Sequence, residues 1–376
     1  MRIVIAIDKF KGSASSMQLA QRIERTFLKH FPEAAITTVP IADGGDGTML
    51  AIKKIMGDKV STRNVKVHRP IYNLEPINAQ YLIDETNQTV YMDLATASGL
   101  AIVPPASRNI MISSTFGTGE MIAHAIKQGA RHIVLGLGGS ATCDGSIGLL
   151  AAMGCQFLNA QNNILTPCAA SLKAIKKIDS SKIDDLTKGV QFTLLTDVNN
   201  PLLGPNGAAA VFAPQKGASK QQVVMLENGL TNLSDFMPNE VVSTPGAGAA
   251  GGVAAGMMAF LDATIVPGID CLLEMAHFDD IIANANLIIT GEGRIDEQTT
   301  MGKAPAGVLR AAQNLNIPVI ALCGSMASGI DASTLGFSSV IEVTPHDMPL
   351  EQAMDTATTL SNIEKALDSF ITEELS

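Results

Sequence analysis

At 376 residues, 46% hydrophobic and 16% charged, the chain exceeds what one hydrophobic core usually supports and lacks the composition of a disordered segment. A net charge of -10 opposes a sequence-independent grip on nucleic-acid phosphates. Five cysteines (Cys143, Cys155, Cys168, Cys271, Cys323) with no C-x-x-C pair exclude a disulfide framework and point to a reducing compartment.

Residues 3–7 are an unbroken apolar run rich in isoleucine and valine, which reads as a strand buried on both faces, as in a parallel sheet. The run is too short for a signal-peptide core or a membrane span, so a cytoplasmic protein that meets neither membrane nor nucleic acid is expected. It ends at Asp8. After Lys9-Phe-Lys-Gly12, serines at 13, 15 and 16 offer N-caps to a helix whose Leu19, Ile23 and Phe27 recur at four-residue spacing. A second strand over 36–41 leads into Asp43-Gly-Gly-Asp-Gly-Thr48 and another helix. From about 65 to 94 short alternating stretches broken by Asn73 and Asn87 predict antiparallel hairpins. Runs at 133–137 and 192–196 return to the strand-then-helix order, as do 287–290, 318–322 and 340–343.

Parallel strands pair through right-handed crossovers, so residues 1–65 plus 285–376 are expected to form one Rossmann-like or flavodoxin-like α/β domain. Residues 66–284 then form an inserted second α/β domain, with an active-site cleft between the two.

Open parallel sheets bind ligands beyond the carboxyl ends of their strands. That is where the unusual residues fall: 8–13, 43–48, 136–148, 196–200 and 290–296 all follow expected strands and mix glycine with carboxylates or hydroxyls. In Gly136-Leu-Gly-Gly-Ser-Ala-Thr142, three glycines and two hydroxyls before a helix suit a phosphate cradle formed by Gly136, Gly138, Gly139, Ser140 and Thr142, with a plain strand-to-helix turn as the structural alternative. Asp43 and Asp46 stand near a helix start, where they hold Mg²⁺ or orient a substrate hydroxyl, unless Asp46 merely caps. The G-x-G-x-x-G within 245–252 lacks a clear preceding strand and reads as close packing. Gly302-Lys303 is followed by Ala304, so a Walker A loop is absent, and the six histidines show no zinc-site spacing.

Together, Asp8-Lys-Phe-Lys-Gly-Ser13, Asp43-Gly-Gly-Asp-Gly-Thr48, Phe116-Gly-Thr-Gly-Glu120, Gly136-Leu-Gly-Gly-Ser-Ala-Thr142, Thr196-Asp-Val-Asn-Asn-Pro-Leu202, Gln215-Lys-Gly217, 245–252 and Thr290-Gly-Glu-Gly-Arg-Ile-Asp296 resemble the class I bacterial glycerate kinases over nearly the whole chain. One departure is Ser146, where that family usually has glycine. The resemblance implies phosphoryl transfer from Mg²⁺-ATP to (R)-glycerate, giving 2-phosphoglycerate. The alternatives are a 3-phosphoglycerate product, another small hydroxy-acid kinase or, further off, an NAD-dependent dehydrogenase. It also adds Gly117, Thr118 and Gly119 to the nucleotide-binding set. A monomer or homodimer is expected.

For the chemistry, Asp197 ends an apolar strand and opens a polar turn, which makes it the first choice for the acid nearest the reacting hydroxyl, with an Asx turn as the structural alternative. Asp43, Asp46 and Asp296 are further acids for the base or, with Asp197, for Mg²⁺. Glycerate carries a carboxylate, and Arg294 is a clamp for it unless it pairs internally with Glu292 and Asp296. Lys11, just past the first strand, neutralises either a phosphate in the reaction or the substrate carboxylate, and with Ser13 and Asp46 completes the substrate set. Lys216 and Lys303 are discounted, because most lysines are only solvated.

Overall fold

A computed structural model describes residues 1–45, 47–296, 299 and 303–375. Its strands in chain order are β1 (Arg2–Ile5), β2 (Ala35–Thr38), β3 (Ser61–Val67), β4 (Ile77–Asp84), β5 (Thr89–Asp93), β6 (His132–Gly136), β7 (Gln156–Leu158), β8 (Lys177–Asp179), β9 (Gln191–Leu195), β10 (Thr264–Val266), β11 (Leu287–Ile295), β12 (Val319–Met326) and β13 (Ser339–Glu342). The chain divides into two units. The first comprises Met1–Asp43, Leu50–Met56 and Pro267–Ser376, and the second Gly44–Met49 and Gly57–Val266. Among the described residues no helix is long and apolar enough to cross a membrane.

The first unit is built on a five-stranded sheet in the order β13-β12-β11-β1-β2, parallel throughout. Renumbered within the unit this is the 2-1-3-4-5 order of flavodoxin-like folds, with its switch point between β1 and β11. Side chains of a strand alternate between faces, so the run 3–7 must be apolar at every position to be covered on both. Ile3, Ile5 and Ile7 pack with Leu19, Ile23 and Phe27 of helix Ser16–His30 and with Ile363, Leu367 and Ile371 of helix Thr356–Glu374. Val4 and Ala6 face the opposite layer, with Ile269, Phe278 and Val308. Of the serines that offered caps, Ser15 takes the role, in a reciprocal capping box with Gln18.

The second unit holds a mixed sheet, β10-β9-β6-β5-β4-β3. β10, β9, β6 and β5 are mutually parallel, and β5-β4-β3 continue as the expected antiparallel hairpins. A small antiparallel pair, β7-β8, lies apart from that sheet.

The boundaries at 65 and 285 shift for physical reasons. β3 begins at Ser61 and pairs along its whole length with β4, so it belongs to the second unit. Helices Gly268–Met275 and Phe278–Ile282 bury Ile269, Leu273, Phe278 and Ile282 in the same core as Val4 and Ala6, which places them in the first. The second strand also stops at Thr38, short of the expected 41.

Ser146 departs from the family pattern with more consequence than its size suggests. Its φ is +68°, in the left-handed region where a Cβ costs about 1–2 kcal/mol, and its buried Oγ has no hydrogen-bond partner among the described residues. Ser146→Gly removes both costs and loses part of the gain to the greater freedom of the unfolded glycine chain. A net gain of about 1 kcal/mol is expected, seen as a melting temperature higher by about 2–4 °C; a lower one would show that the hydroxyl is satisfied in solution.

Candidate functional site

In the first unit the switch point gathers most of the charged residues of the expected site. Asp8 follows β1, and its amide donates to the carbonyl of Gly291 on β11 at 3.0 Å. The residue is only 8% exposed, and Oδ1 accepts from the Lys9 amide at 2.8 Å. Burial, then the charges of Asp43 and Glu292, push its carboxyl up to about 7, with Lys9 opposing. Asp43 lies 3.9 Å from Lys9 Nζ, a partly exposed pair worth little by itself.

Glu292, on β11, accepts from Thr299 Oγ1 at 2.6 Å and from Lys303 Nζ at 3.2 Å. Lys303 also donates to Asp296 Oδ1 at 3.0 Å, and the Asp296 amide donates to Thr299 Oγ1 at 2.9 Å. Burial raises the Glu292 carboxyl despite these donors. Burial also disfavours the Lys303 ammonium, but the two carboxylates outweigh it and raise its pKa. Lys303 is therefore a bridge between two acids, not the solvated lysine its sequence suggested. It also replaces Arg294 as their partner: Arg294 is exposed and makes no ion pair among the described residues.

Lys11 is likewise exposed and free of ion pairs among the described residues. Gly293 brings β11 and this loop together, since a Cβ there would lie 3.4 Å from the Lys11 amide nitrogen. Ser13 does not face a substrate freely, because its hydroxyl is hydrogen-bonded to Thr359. Asp46 lies outside the described residues. Among those that are described, no group of three or more His, Cys, Asp or Glu is arranged to hold a metal ion.

Asp8 has a readable energetic signature. A carboxyl raised from 3.8 to about 7 means the folded protein holds a proton that the unfolded chain has released. Stability is therefore fully present below about pH 4 and is lost as pH rises to about 7. Asp8→Asn, which keeps the acceptor for the Lys9 amide, should flatten that slope and stabilise the protein at pH 8 by roughly 2–4 kcal/mol. Urea titrations at pH 4 and pH 8 check this, and an unchanged difference between the two pH values would refute it.

In the second unit the glycine turns do different work from a bare phosphate cradle. Gly136 and Gly138, at and beyond the end of β6, lie against Gly44 and Gly45. The Gly138 amide donates to the Gly44 carbonyl at 3.3 Å, and a Cβ on Gly138 would sit 2.2 Å from Gly45 Cα. These glycines permit backbone to touch backbone. Gly139, at φ +74°, gives its carbonyl to the Leu100 amide at 2.9 Å.

Ser140 and Thr142 are held from behind by Lys216, which the sequence reading discounted. Its Nζ donates to Ser140 Oγ at 2.7 Å and to the Thr142 carbonyl at 2.6 Å. At 5% exposure it makes no ion pair among the described residues, and burial brings its pKa down to about 8. The available signal was local: Lys216 sits between an apolar helical stretch, Ala208–Phe212, and Gly217. Cys143 is buried packing, its thiol pushed up to about 12 by burial.

Gly117, Thr118 and Gly119 lie in the first turn of a helix. They are buried in helix Phe116–Lys127, and the amides of Thr118 and Gly119 already donate to the Thr115 carbonyl. A Cβ on Gly117 would lie 2.0 Å from the His68 carbonyl, and one on Gly119 2.2 Å from that of Leu149. The helix needs glycine there to pack, and Thr118 Oγ1 bonds Ser98 Oγ at 2.7 Å. The 245–252 segment is close packing as expected: Cβ atoms on Gly248 and Gly251 would each fall 2.3 Å from a carbonyl oxygen, of Pro201 and Thr142.

Two acids beyond those nominated shape this unit. Asp93, ending β5, accepts from the Met49 amide in the first turn of helix Thr48–Met56 at 3.2 Å through both oxygens. Asp144 is wholly buried, and its Oδ2 accepts from the Thr115 amide (2.8 Å), Thr115 Oγ1 (2.9 Å) and the Gly148 amide (3.2 Å). Asp197 stands half-buried beyond the end of β9, where the Val198 amide reaches Thr196 Oγ1 at 3.4 Å and Asn200 Nδ2 donates to the Asn206 carbonyl at 2.9 Å.

Comparison with known proteins shows the family. A family model described as the glycerate kinase family matches residues 3–372. The chain is 38% identical over 364 residues to a glycerate kinase of Halalkalibacterium halodurans, spanning 95% of this chain and 94% of that one. It is 39% identical over 334 residues to a glycerate 2-kinase of Escherichia coli, spanning 88% and 87%. A crystal structure from Salmonella typhimurium, provisionally designated glycerate kinase 2, is similar with a TM-score of 0.77 at 35% identity, covering 99% of both chains.

Proposed function

From the premise that the chain belongs to the glycerate kinase family, we propose that it transfers the γ-phosphoryl group of ATP to the 2-hydroxyl of (R)-glycerate. The product is then 2-phosphoglycerate, made by a cytoplasmic monomer or homodimer. The observation that carries the residue assignments is the switch-point cluster, where two partly buried acids are shared by Lys303 while Lys11 and Arg294 stay exposed and unpaired among the described residues.

Phosphoryl transfer asks a protein for positioning and charge neutralisation more than for covalent help. Arg294, with its planar fork, and Lys11 bind the anionic oxygens of the substrate. Asp197 accepts the proton of the attacking hydroxyl. Ser140 and the amides of its loop face the nucleotide phosphates, with Lys216 fixing their shape. Lys303 holds Glu292 and Asp296 in place through its two hydrogen bonds.

Mg²⁺ in kinases takes one or two carboxylates and completes its shell with phosphates and water, so no cage of three protein acids is required. The mutual repulsion of Asp8 and Asp43 fits such a site. The ion supplies neutralisation of phosphate charge when bound.

The deciding experiment is an ADP-release assay with Mg²⁺-ATP and a panel of hydroxy acids, with the phosphorylated product identified by NMR. Turnover is expected with (R)-glycerate, with phosphate on the 2-oxygen. Phosphate on the 3-oxygen would overturn the regiochemistry alone, and no turnover with any hydroxy acid would overturn the reading.

A further inference from the structure

We infer that Thr356 and Thr359 of the C-terminal helix are positioning residues for the Lys9–Ala14 loop, and that through it they set the placement of Lys11. The loop is a closed turn: Phe10 and Ala14 exchange both backbone hydrogen bonds, at 2.9 and 3.0 Å. Lys11 is exposed near its tip, and Gly12 turns the chain at φ +80°. Such a turn fixes its own shape but not its direction, so what aims it must come from outside it.

Two elements do so. On one side Gly293 of β11 lies against the Phe10–Lys11 backbone. On the other is helix Thr356–Glu374, whose first turn carries two threonines three residues apart and therefore on one face. Thr356 Oγ1 donates to the Ser13 carbonyl at 2.5 Å. Thr359 is 4% exposed, and its hydroxyl reaches the carbonyls of Ala353 and Asp355 at 2.9 and 3.0 Å. Its single proton is thus engaged with backbone carbonyls at the N-terminal end of its helix and just before it, and Ser13 Oγ is the donor in the Ser13–Thr359 bond. Met354 closes over Gly12, where a Cβ would meet its Cε at 2.7 Å. Side-chain and main-chain atoms of Ser13 are both held, so the loop has one direction, and Lys11 goes with it.

This inference rests on Lys11 binding the substrate anion, and the test separates the two ideas. Lys11→Met, Thr359→Val, Thr359→Ser and the double variant Lys11→Met with Thr359→Val are compared by KM for glycerate, kcat and melting temperature. Thr359→Val is expected to raise KM by about tenfold, the equivalent of one lost hydrogen bond, with kcat less affected, and Thr359→Ser should restore it. In the Lys11→Met background, Thr359→Val should add nothing, because a misaimed lysine that is already missing has no further effect. If Lys11→Met changes KM but Thr359→Val does not, or if their effects simply add, the positioning role is wrong. An unchanged KM in Lys11→Met would remove the substrate-binding reading and this inference with it. Should Thr359→Val fail to fold, Thr356→Val, which lies nearer the helix end, carries the same expectations.

Discussion

Asp197→Asn is expected to lower kcat by about 10²–10⁴-fold, the usual worth of a positioned general base, with a melting temperature close to that of the parent protein. The substitution keeps size and hydrogen-bonding reach and removes only the charge and the ability to take a proton. Neighbouring parts of this turn are held by other groups, the Val198 amide by Thr196 Oγ1 and the Asn200 side chain by the Asn206 carbonyl. β9 behind it is anchored between β6 and β10. A loss confined to the transition state lowers kcat and kcat/KM together. Steady-state kinetics over a range of glycerate concentrations therefore separate this role from simple substrate binding, which would appear in KM. Near-normal kcat would return Asp197 to turn chemistry.

The sequence shows the first unit's sheet clearly because the run 3–7, which includes most of β1, is apolar throughout: five consecutive apolar side chains read as a strand covered on both faces. From there the right-handed crossover and the carboxyl-end rule lead to the Asp8 turn and to residues 291–296, of which 291–295 prove to be the carboxyl-end half of β11 and not a turn. What it hides follows from the double use of glycine. Gly117 and Gly119 are spaced like a phosphate loop, yet their missing side chains make room for the carbonyls of His68 and Leu149. Gly44 and Gly138 meet through backbone alone, so no side-chain pattern announces that 44–49 belongs with the second unit.

Lysines are opaque for a related reason. Lys11 and Lys216 look alike as letters, and only the fold decides that one is exposed and the other encloses its charge among neutral oxygens. Ser13 is hardest of all, since its partner Thr359 lies 346 residues away in sequence. Arg294 shows the opposite case: the acids beside it in sequence, Glu292 and Asp296, are taken up by Lys303 instead.

Asp144→Ala is expected to destabilise the protein by about 3–5 kcal/mol, as removal of one partner from a buried charged network does. One carboxylate oxygen collects both hydrogen-bond donors of Thr115 and the Gly148 amide, and Thr115 Oγ1 in turn accepts from the Leu149 amide at 2.9 Å. Helix Phe116–Lys127 is thereby tied to helix Ile147–Ala152, and alanine leaves the donors buried without an acceptor. Asp144→Asn should behave differently. Burial raises the Asp144 carboxyl, so the folded protein holds its proton more tightly than the unfolded chain. Its stability contribution is present below the ordinary carboxyl range and is lost as pH rises through the raised folded value. Asparagine offers an acceptor oxygen without a charge to bury, so it escapes that loss and should sit well above alanine at neutral pH. The chain contains no tryptophan, which makes circular dichroism the practical probe for denaturant titrations at pH 5 and pH 8. If asparagine and alanine prove equally damaging at both values, the ionised carboxylate itself is what holds the two helices, and the cost of its burial is outweighed by its three donors.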